Sequence, residues 1–152
     1  MKPWTALCLL PVLAISVASA ADADRISGHY RYTGYQVTLP NGRVIGLKEM
    51  GASEASLDIS VPTRTITLHM TMGTGRVVDE SARIVEWAVG PTGGYWIAQW
   101  PDMKYAVKAV ITVAGAVPGA SAGTRLTSET RFDQPQDMDR FGTVERAVLE
   151  RQ

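Results

Sequence analysis

Side chains in the most regular segments of the chain alternate between apolar and polar with a period of two. In LDISV (57–61), TITLHMTM (65–72) and KYAVKAVITV (104–113), every second residue is apolar. This period is that of a β-strand with one buried face, because successive side chains of a strand point to opposite sides. The chain is therefore predicted to be built from half-buried strands.

Turn-forming residues separate these segments at regular intervals. LPNGR (39–43), GTGR (73–76), GPTGG (90–94) and WPDM (100–103) interrupt the alternation, and the Asn-Gly pair in the first is a strong hairpin signal. Strands at such spacing predict an all-β antiparallel meander, either a sandwich or a barrel. The predicted strands span approximately 27–39, 43–50, 55–61, 64–73, 76–89, 94–100, 103–113, 123–133 and 142–151.

Residues 1–20 have the composition of a secretory signal peptide. Lys2 gives a positive start, residues 6–17 are mostly apolar, and residues 18–20 read ASA, a small-residue cleavage signal. The apolar run is shorter than the about 20 residues that a membrane-spanning helix needs, and no later segment is long and apolar enough to span. We predict a signal peptide over 1–20, a single domain over 21–152, and a periplasmic or secreted protein with no membrane span.

Charge and cysteine content narrow the function classes. The 15 basic and 15 acidic residues cancel, so the chain has no general positive field and we expect no nucleic-acid partner. Cys8 is the only cysteine and lies in the predicted signal peptide, so the exported domain would contain no disulfide. A domain of about 130 residues can bury a sufficient core without one. A short signal on a cysteine-free domain suggests a bacterial periplasm.

The segment HMTM (69–72) contains imidazole and thioether groups that together can bind copper. On a strand, however, His69 points away from Met70 and Met72, so the ligands cannot converge. The two methionines share a face with Ile66 and Leu68, as expected for the wall of an apolar interior. We therefore predict a barrel wall here, and expect neither a metal site nor another cofactor.

Aromatic residues concentrate around YWIAQW (95–100). Rings often pack cores, but a cavity lined by rings with a few polar tips is also a common ligand site. Glu86 lies between apolar neighbours, and a carboxylate that faces a closed cavity would have a raised pKa. The candidate ligand-binding residues are Glu86, Tyr95, Trp96, Trp100 and Tyr105.

The segment SGHYRYTGYQVTLPNGRVI (27–45) resembles the start of small bacterial lipocalin-like proteins. These open with a Gly-x-aromatic element on the first strand, matched by Gly28 and Tyr30, and continue into a hairpin. The resemblance implies a closed antiparallel barrel of about eight or nine strands with an internal cavity. It also implies that a basic residue of the last strand, Arg146 or Arg151, packs across the Tyr30 ring and closes the barrel end.

Three functions are compatible with such a barrel, because a fold alone does not determine a function. The first is a secreted or periplasmic protein that binds a small apolar or amphipathic molecule in its cavity. The second is an enzyme, such as an isomerase, cyclase or lyase, with Glu86, Glu129 and Tyr95 as candidate acid–base residues. The third is a cell-envelope interaction module with a filled core. A cavity, and the carboxylates that line it, would discriminate among them.

Overall fold

The computed structural model describes residues 26–115, 123–132, 138 and 142–152, which form nine β-strands. The predicted signal peptide lies outside the described residues. The strands are β1 (Gly28–Thr38), β2 (Val44–Ile45), β3 (Ala52–Ser60), β4 (Thr65–Met72), β5 (Val77–Gly90), β6 (Gly93–Gln99), β7 (Val107–Ala114), β8 (Arg125–Arg131) and β9 (Val144–Arg151).

Eight of these strands form a closed antiparallel barrel. Consecutive strands from β3 to β9 pair in chain order, β1 pairs with β3, and β9 pairs back onto β1. The short β2 adds to the edge of β1 through the predicted Asn-Gly hairpin. The predicted all-β meander barrel is therefore confirmed.

The largest difference from the predicted spans is at the second strand. Residues 43–50 were predicted to be extended, but β2 ends at Ile45 and a tight turn follows. The amide of Met50 donates to the carbonyl oxygen of Gly46 at 3.2 Å, and the amide of Gly51 donates to that of Lys48 at 3.0 Å. These local hydrogen bonds replace strand pairing, so the chain turns back into β3.

Three bulges change which residues face the barrel interior, and the one in β3 lies between Ala52 and Glu54. In β1, the register with β9 shifts between Tyr32 and Gly34, and in β5 the register with β6 shifts between Ile84 and Glu86. Each shift adds one residue, which reverses the alternation beyond it. As a result Tyr35 lines the barrel interior although it is three positions after Tyr32, which does so too.

The hairpin between β5 and β6 depends on glycine. Gly94 has a φ of +153°, and a Cβ built on it would lie 1.9 Å from the carbonyl oxygen of Ala88. Such a distance is impossible for a real side chain, so only glycine allows the two backbones to approach here.

The closed end of the barrel is the end at which β1 begins and β9 ends. Tyr30 is completely buried there, and its hydroxyl donates to the carbonyl oxygen of Ile26 at 2.8 Å. Arg151 is the β9 partner of Tyr30, and its Nε lies 2.8 Å from the position of a Cβ on Gly28. Of the two candidate arginines, Arg151 is therefore the one beside Tyr30, whereas Arg146 binds Glu129 on the outer face.

Candidate ligand-binding cavity

A cavity of about 250 Å³ occupies the other half of the barrel, the open end, at which β1 ends and β9 begins. An apolar cavity of about 150 Å³ is enough to hold one benzene molecule, so this one has room for a somewhat larger molecule. It is lined by Tyr32, Tyr35, Leu47, Met50, Ala52, Ala55, Leu57, Ile66, Leu68, Met70, Met72, Glu80, Trp96, Ala98, Trp100, Asp102, Met103, Val107, Ala109, Ser128, Thr130, Phe132 and Glu145.

The wall is mainly apolar and adaptable. Four methionines line it, Met50, Met70, Met72 and Met103. Methionine is unbranched and polarizable, so a wall rich in it can adjust to the shape of a bound molecule. Met50 is 43% exposed and also lines the cavity, so the cavity reaches the protein surface at the open end.

One carboxyl group lies inside this apolar space with a hydrogen-bond donor beside it. The hydroxyl of Tyr35 donates to Oε2 of Glu145 at 3.0 Å, and both residues line the cavity. Burial raises the pKa of Glu145 above its ordinary value, and the hydrogen bond from Tyr35 offsets only part of that shift. Burial and the nearby Glu145 carboxyl raise the pKa of Tyr35 as well. Glu145 is therefore poised to exchange a proton at a pH above that of an ordinary glutamate.

The ring of Tyr32 packs against the ring of Tyr35. The rings of Tyr32 and Tyr35 meet edge to face, with centroids 5.7 Å apart and planes at 72°. This is a favoured geometry for aromatic pairs. Burial raises the pKa of Tyr32, so both phenols stay protonated and Tyr35 remains a donor to Glu145.

The polar groups of the wall are acidic or neutral. Glu80, on β5, and Asp102, between β6 and β7, line the cavity together with Glu145. The side-chain carboxyl group of Glu80 makes no hydrogen bond or ion pair with the residues that the structure describes. None of the described residues on the wall is a lysine, arginine or histidine. A bound molecule would therefore meet carboxyl, hydroxyl and phenol groups, but no cation from this part of the chain.

Two of the predicted ligand-binding residues, Trp96 and Trp100, lie on the cavity wall. Trp96 is buried and stacks on Trp87 of the neighbouring strand, with ring centroids 5.6 Å apart and planes at 12°. Trp100 lies just beyond the end of β6 and is partly exposed. The two indoles, one on β6 and one directly after it, are therefore placed to contact a bound molecule.

The other three predicted residues lie outside the cavity. Tyr95 donates a hydrogen bond to Glu86 on the outer face, and the ammonium of Lys108 lies 3.9 Å from the centre of the Tyr95 ring. Tyr105 is 45% exposed. The bulge in β5 explains Glu86, because the extra residue Val85 turns the carboxylate away from the interior. The structure does not bring these three residues together with Trp96 and Trp100.

Glu129, one of the candidate acid–base residues, is also away from the cavity. Its carboxylate accepts from the Nε of Arg131 at 2.8 Å and from the Nε of Arg146 at 2.9 Å. These hydrogen bonds lower the pKa of Glu129. A carboxylate held ionised between two arginines on the outer face is suited to a surface ion pair, not to proton transfer in the barrel.

The histidines form a chain with two aspartates on the outer face of the sheet. Nδ1 of His29 lies 2.5 Å from Asp58, Nε2 of His69 lies 2.9 Å from the same carboxylate, and Nδ1 of His69 lies 2.7 Å from Asp79. His69 thus faces outward while Met70 and Met72 line the cavity, as the alternation of β4 predicted. Among the described residues no group of His, Cys, Asp and Glu side chains is arranged to hold a metal ion.

Sequence reasoning did not single out Glu145 or its tyrosine partner as site residues. A signal for Glu145 was available in the sequence, since it alternates with the apolar residues Ala147 and Leu149 on one face of the predicted last strand. No such signal existed for Tyr35, because the bulge in β1 reverses the alternation before it.

No family model, curated protein or solved structure matches this chain. Its function must therefore be argued from the geometry and chemistry of the cavity. Within the described ranges no helix is long and apolar enough to cross a membrane.

Proposed function

We propose that the protein is a periplasmic or secreted lipocalin-like barrel that binds one small, mainly apolar molecule in its cavity. The observation that carries this proposal is the cavity of about 250 Å³ at the open end. Ligand sites are typically concave and apolar, with a small number of polar groups that orient the ligand. Methionine, tryptophan and aliphatic side chains form the wall here, and the Tyr35–Glu145 pair supplies an orienting group.

The cavity also disfavours the filled-core alternative. An interaction module that uses only its outer surface gains nothing from an internal void, and voids cost stability through lost packing contacts. Export is supported by the composition of residues 1–20, and a lipocalin-like origin by Gly28, Tyr30 and Arg151 at the closed end.

The test is a titration of the purified protein with cyclohexylmethanol, followed by tryptophan fluorescence. This alcohol is neutral and does not absorb in the range of tryptophan. Because Trp96 and Trp100 line the cavity, binding should change their emission. The change should saturate at a millimolar concentration or below. The ceiling of about 1.5 kcal/mol per heavy atom for small ligands places the tightest possible binding of this alcohol at about nanomolar.

A variant that fills the cavity provides the control. Ala55→Leu adds bulk to the wall from β3 and should abolish the saturable change while the melting transition persists. Ala106→Leu makes the same exchange at an exposed position outside the strands and should bind as the wild type does. An equal response in all three proteins, or no saturable response in the wild type, would refute the proposal.

The Tyr35–Glu145 pair favours an enzyme as the second candidate. A carboxyl group with a raised pKa in an apolar cavity is suited to general acid–base catalysis, such as proton removal beside a carbonyl in an isomerase. The test is deuterium exchange at the α-carbon of cyclohexyl methyl ketone in heavy water. Exchange faster in the wild type than in Glu145→Gln would support catalysis, and equal rates in the two proteins would exclude it for this residue.

A further inference from the structure

The charge of the cavity wall indicates a chemical class of ligand. We infer that, as a refinement of the proposed binding function and resting on it, the cavity selects apolar amines, with the ammonium group placed against the carboxylate of Glu145 and the apolar body against Trp96 and Trp100. A carboxylate with the same apolar body binds more weakly than the amine.

The first argument is the sign of the groups around the site. Glu145 on β9 and Glu80 on β5 both line the cavity, and Asp102 lines it near the surface. Tyr32 and Tyr35 of β1 and Ser128 and Thr130 of β8 contribute neutral groups. Where these carboxyl groups are ionised, a cation meets attraction from several directions, while a carboxylate ligand meets repulsion that the low local dielectric strengthens.

The second argument is the hydrogen bonding of Glu145. Tyr35 donates to Oε2 and so occupies part of the acceptor capacity of that oxygen. An ionised carboxylate accepts several hydrogen bonds, so Oε1 remains available to accept from an ammonium group. An ammonium group has three hydrogen-bond donors and no acceptor. It therefore complements the carboxylate of Glu145, which has no cationic partner among the described residues.

The third argument is the linkage between binding and ionisation. In the empty cavity, burial favours the neutral form of Glu145. A bound ammonium favours the ionised form, so binding releases a proton from the carboxyl group to solvent where the empty site is protonated. The affinity for an amine should therefore increase as the pH rises through the titration of Glu145, while the affinity for a neutral alcohol should not.

The experiment compares cyclohexylmethylamine, cyclohexylmethanol and cyclohexanecarboxylate, which share one apolar body and differ in charge. We expect the amine to bind at least about tenfold tighter than the alcohol, because hydrogen bonds to charged groups contribute about 1.5–3 kcal/mol. The carboxylate should bind more weakly than the alcohol. Calorimetry in buffers of different ionisation enthalpy should detect proton release on binding of the amine alone.

Two variants separate the inference from the function on which it rests. Glu145→Gln keeps the size of the side chain and should abolish the preference for the amine while the alcohol still binds. Glu150→Gln, on the outer face of the same strand, should keep the preference. If the alcohol binds but the amine is no tighter, or the carboxylate is the tightest, the amine inference is wrong and the binding function stands. If none of the three binds, both are wrong.

Discussion

The hydroxyl of Tyr35 donates a 3.0 Å hydrogen bond to the carboxyl group of Glu145 inside the barrel. The two residues lie on β1 and β9, the strands whose pairing closes the barrel. The hydrogen bond therefore links the two strands that close the barrel and also holds a carboxyl group inside it. Burial raises the pKa of Glu145, and the carboxyl group of this residue lies on the wall of the cavity.

This burial should make stability depend on pH with a definite sign. A carboxyl group whose pKa is higher in the folded state destabilises the fold as pH rises, because the unfolded chain releases its proton first. The penalty is absent below the unfolded pKa and complete above the folded one. Glu145→Gln should therefore gain stability over the wild type as the pH rises above the ordinary pKa of a glutamate, until Glu145 also ionises in the folded state. Urea midpoints of the two proteins at acidic, neutral and mildly alkaline pH check it, and a difference that does not change with pH would contradict it.

Tyr30 should be a structural residue and not a ligand contact. It is completely buried at the closed end, away from the cavity wall. Tyr30→Ala should cost about 3–5 kcal/mol, the range for large aromatic truncations in cores. Tyr30→Phe, which loses only the hydrogen bond to Ile26, should cost about 0.5–1.5 kcal/mol. Urea unfolding measures both. A Tyr30→Ala protein of full stability that no longer binds ligand would contradict this role.

Trp96 and Trp100 should differ in what they contribute. Trp96 is buried and stacked on Trp87, so Trp96→Ala should lose about 3–5 kcal/mol of stability as well as ligand affinity. Trp100 is partly exposed, so Trp100→Ala should reduce affinity at a smaller cost in stability.

Trp87→Phe is the matched control for these two variants. Trp87 does not line the cavity, and its buried indole nitrogen has no hydrogen-bond partner in the part of the chain that the structure describes. The exchange should therefore preserve binding and lose no hydrogen bond. If Trp87→Phe abolished binding while Trp96→Ala and Trp100→Ala retained it, the assignment of the wall would be wrong.

The histidine–aspartate chain on the outer face should stabilise the protein in a limited pH range. The hydrogen bonds that the His69 ring donates to the carboxylates of Asp79 and Asp58 raise the pKa of His69. The contribution of protonated His69 is complete below its unfolded pKa and is lost as pH rises through the folded one. His69→Gln should cost about 0.2–1 kcal/mol near pH 5.5, as is usual for exposed pairs, and less near pH 9. Thermal melts at the two pH values measure the difference, and an equal cost at both would contradict it.

Removal of metal should leave the protein unchanged. Both ring nitrogens of His69 are within hydrogen-bond distance of aspartates, and the thioethers of Met70 and Met72 lie on the opposite side of the strand. Treatment with a chelator should therefore not shift the melting temperature. A loss of several degrees that added copper or zinc restores would show that a metal is bound.

The period-two alternation predicted the β4 wall, the outward position of His69 and most strand bounds. It could do so because the direction of a side chain on a regular strand follows from the backbone alone. The same reasoning places Glu145 on the buried face of β9, next to Ala147 in the alternation. Local pattern was sufficient wherever a strand was regular.

Tertiary pairing decided the positions that regular alternation could not predict. The bulges at Thr33 and Val85 exist only as a register difference between partner strands, and they turn Tyr35 inward and Glu86 outward. The cavity likewise depends on how residues far apart in the sequence fill the barrel. The chain alone thus determined an all-β meander and the faces of its regular strands. Only the closed barrel determined that the carboxyl group of Glu145 lines the same cavity as Trp96, because register and packing are properties of several strands together.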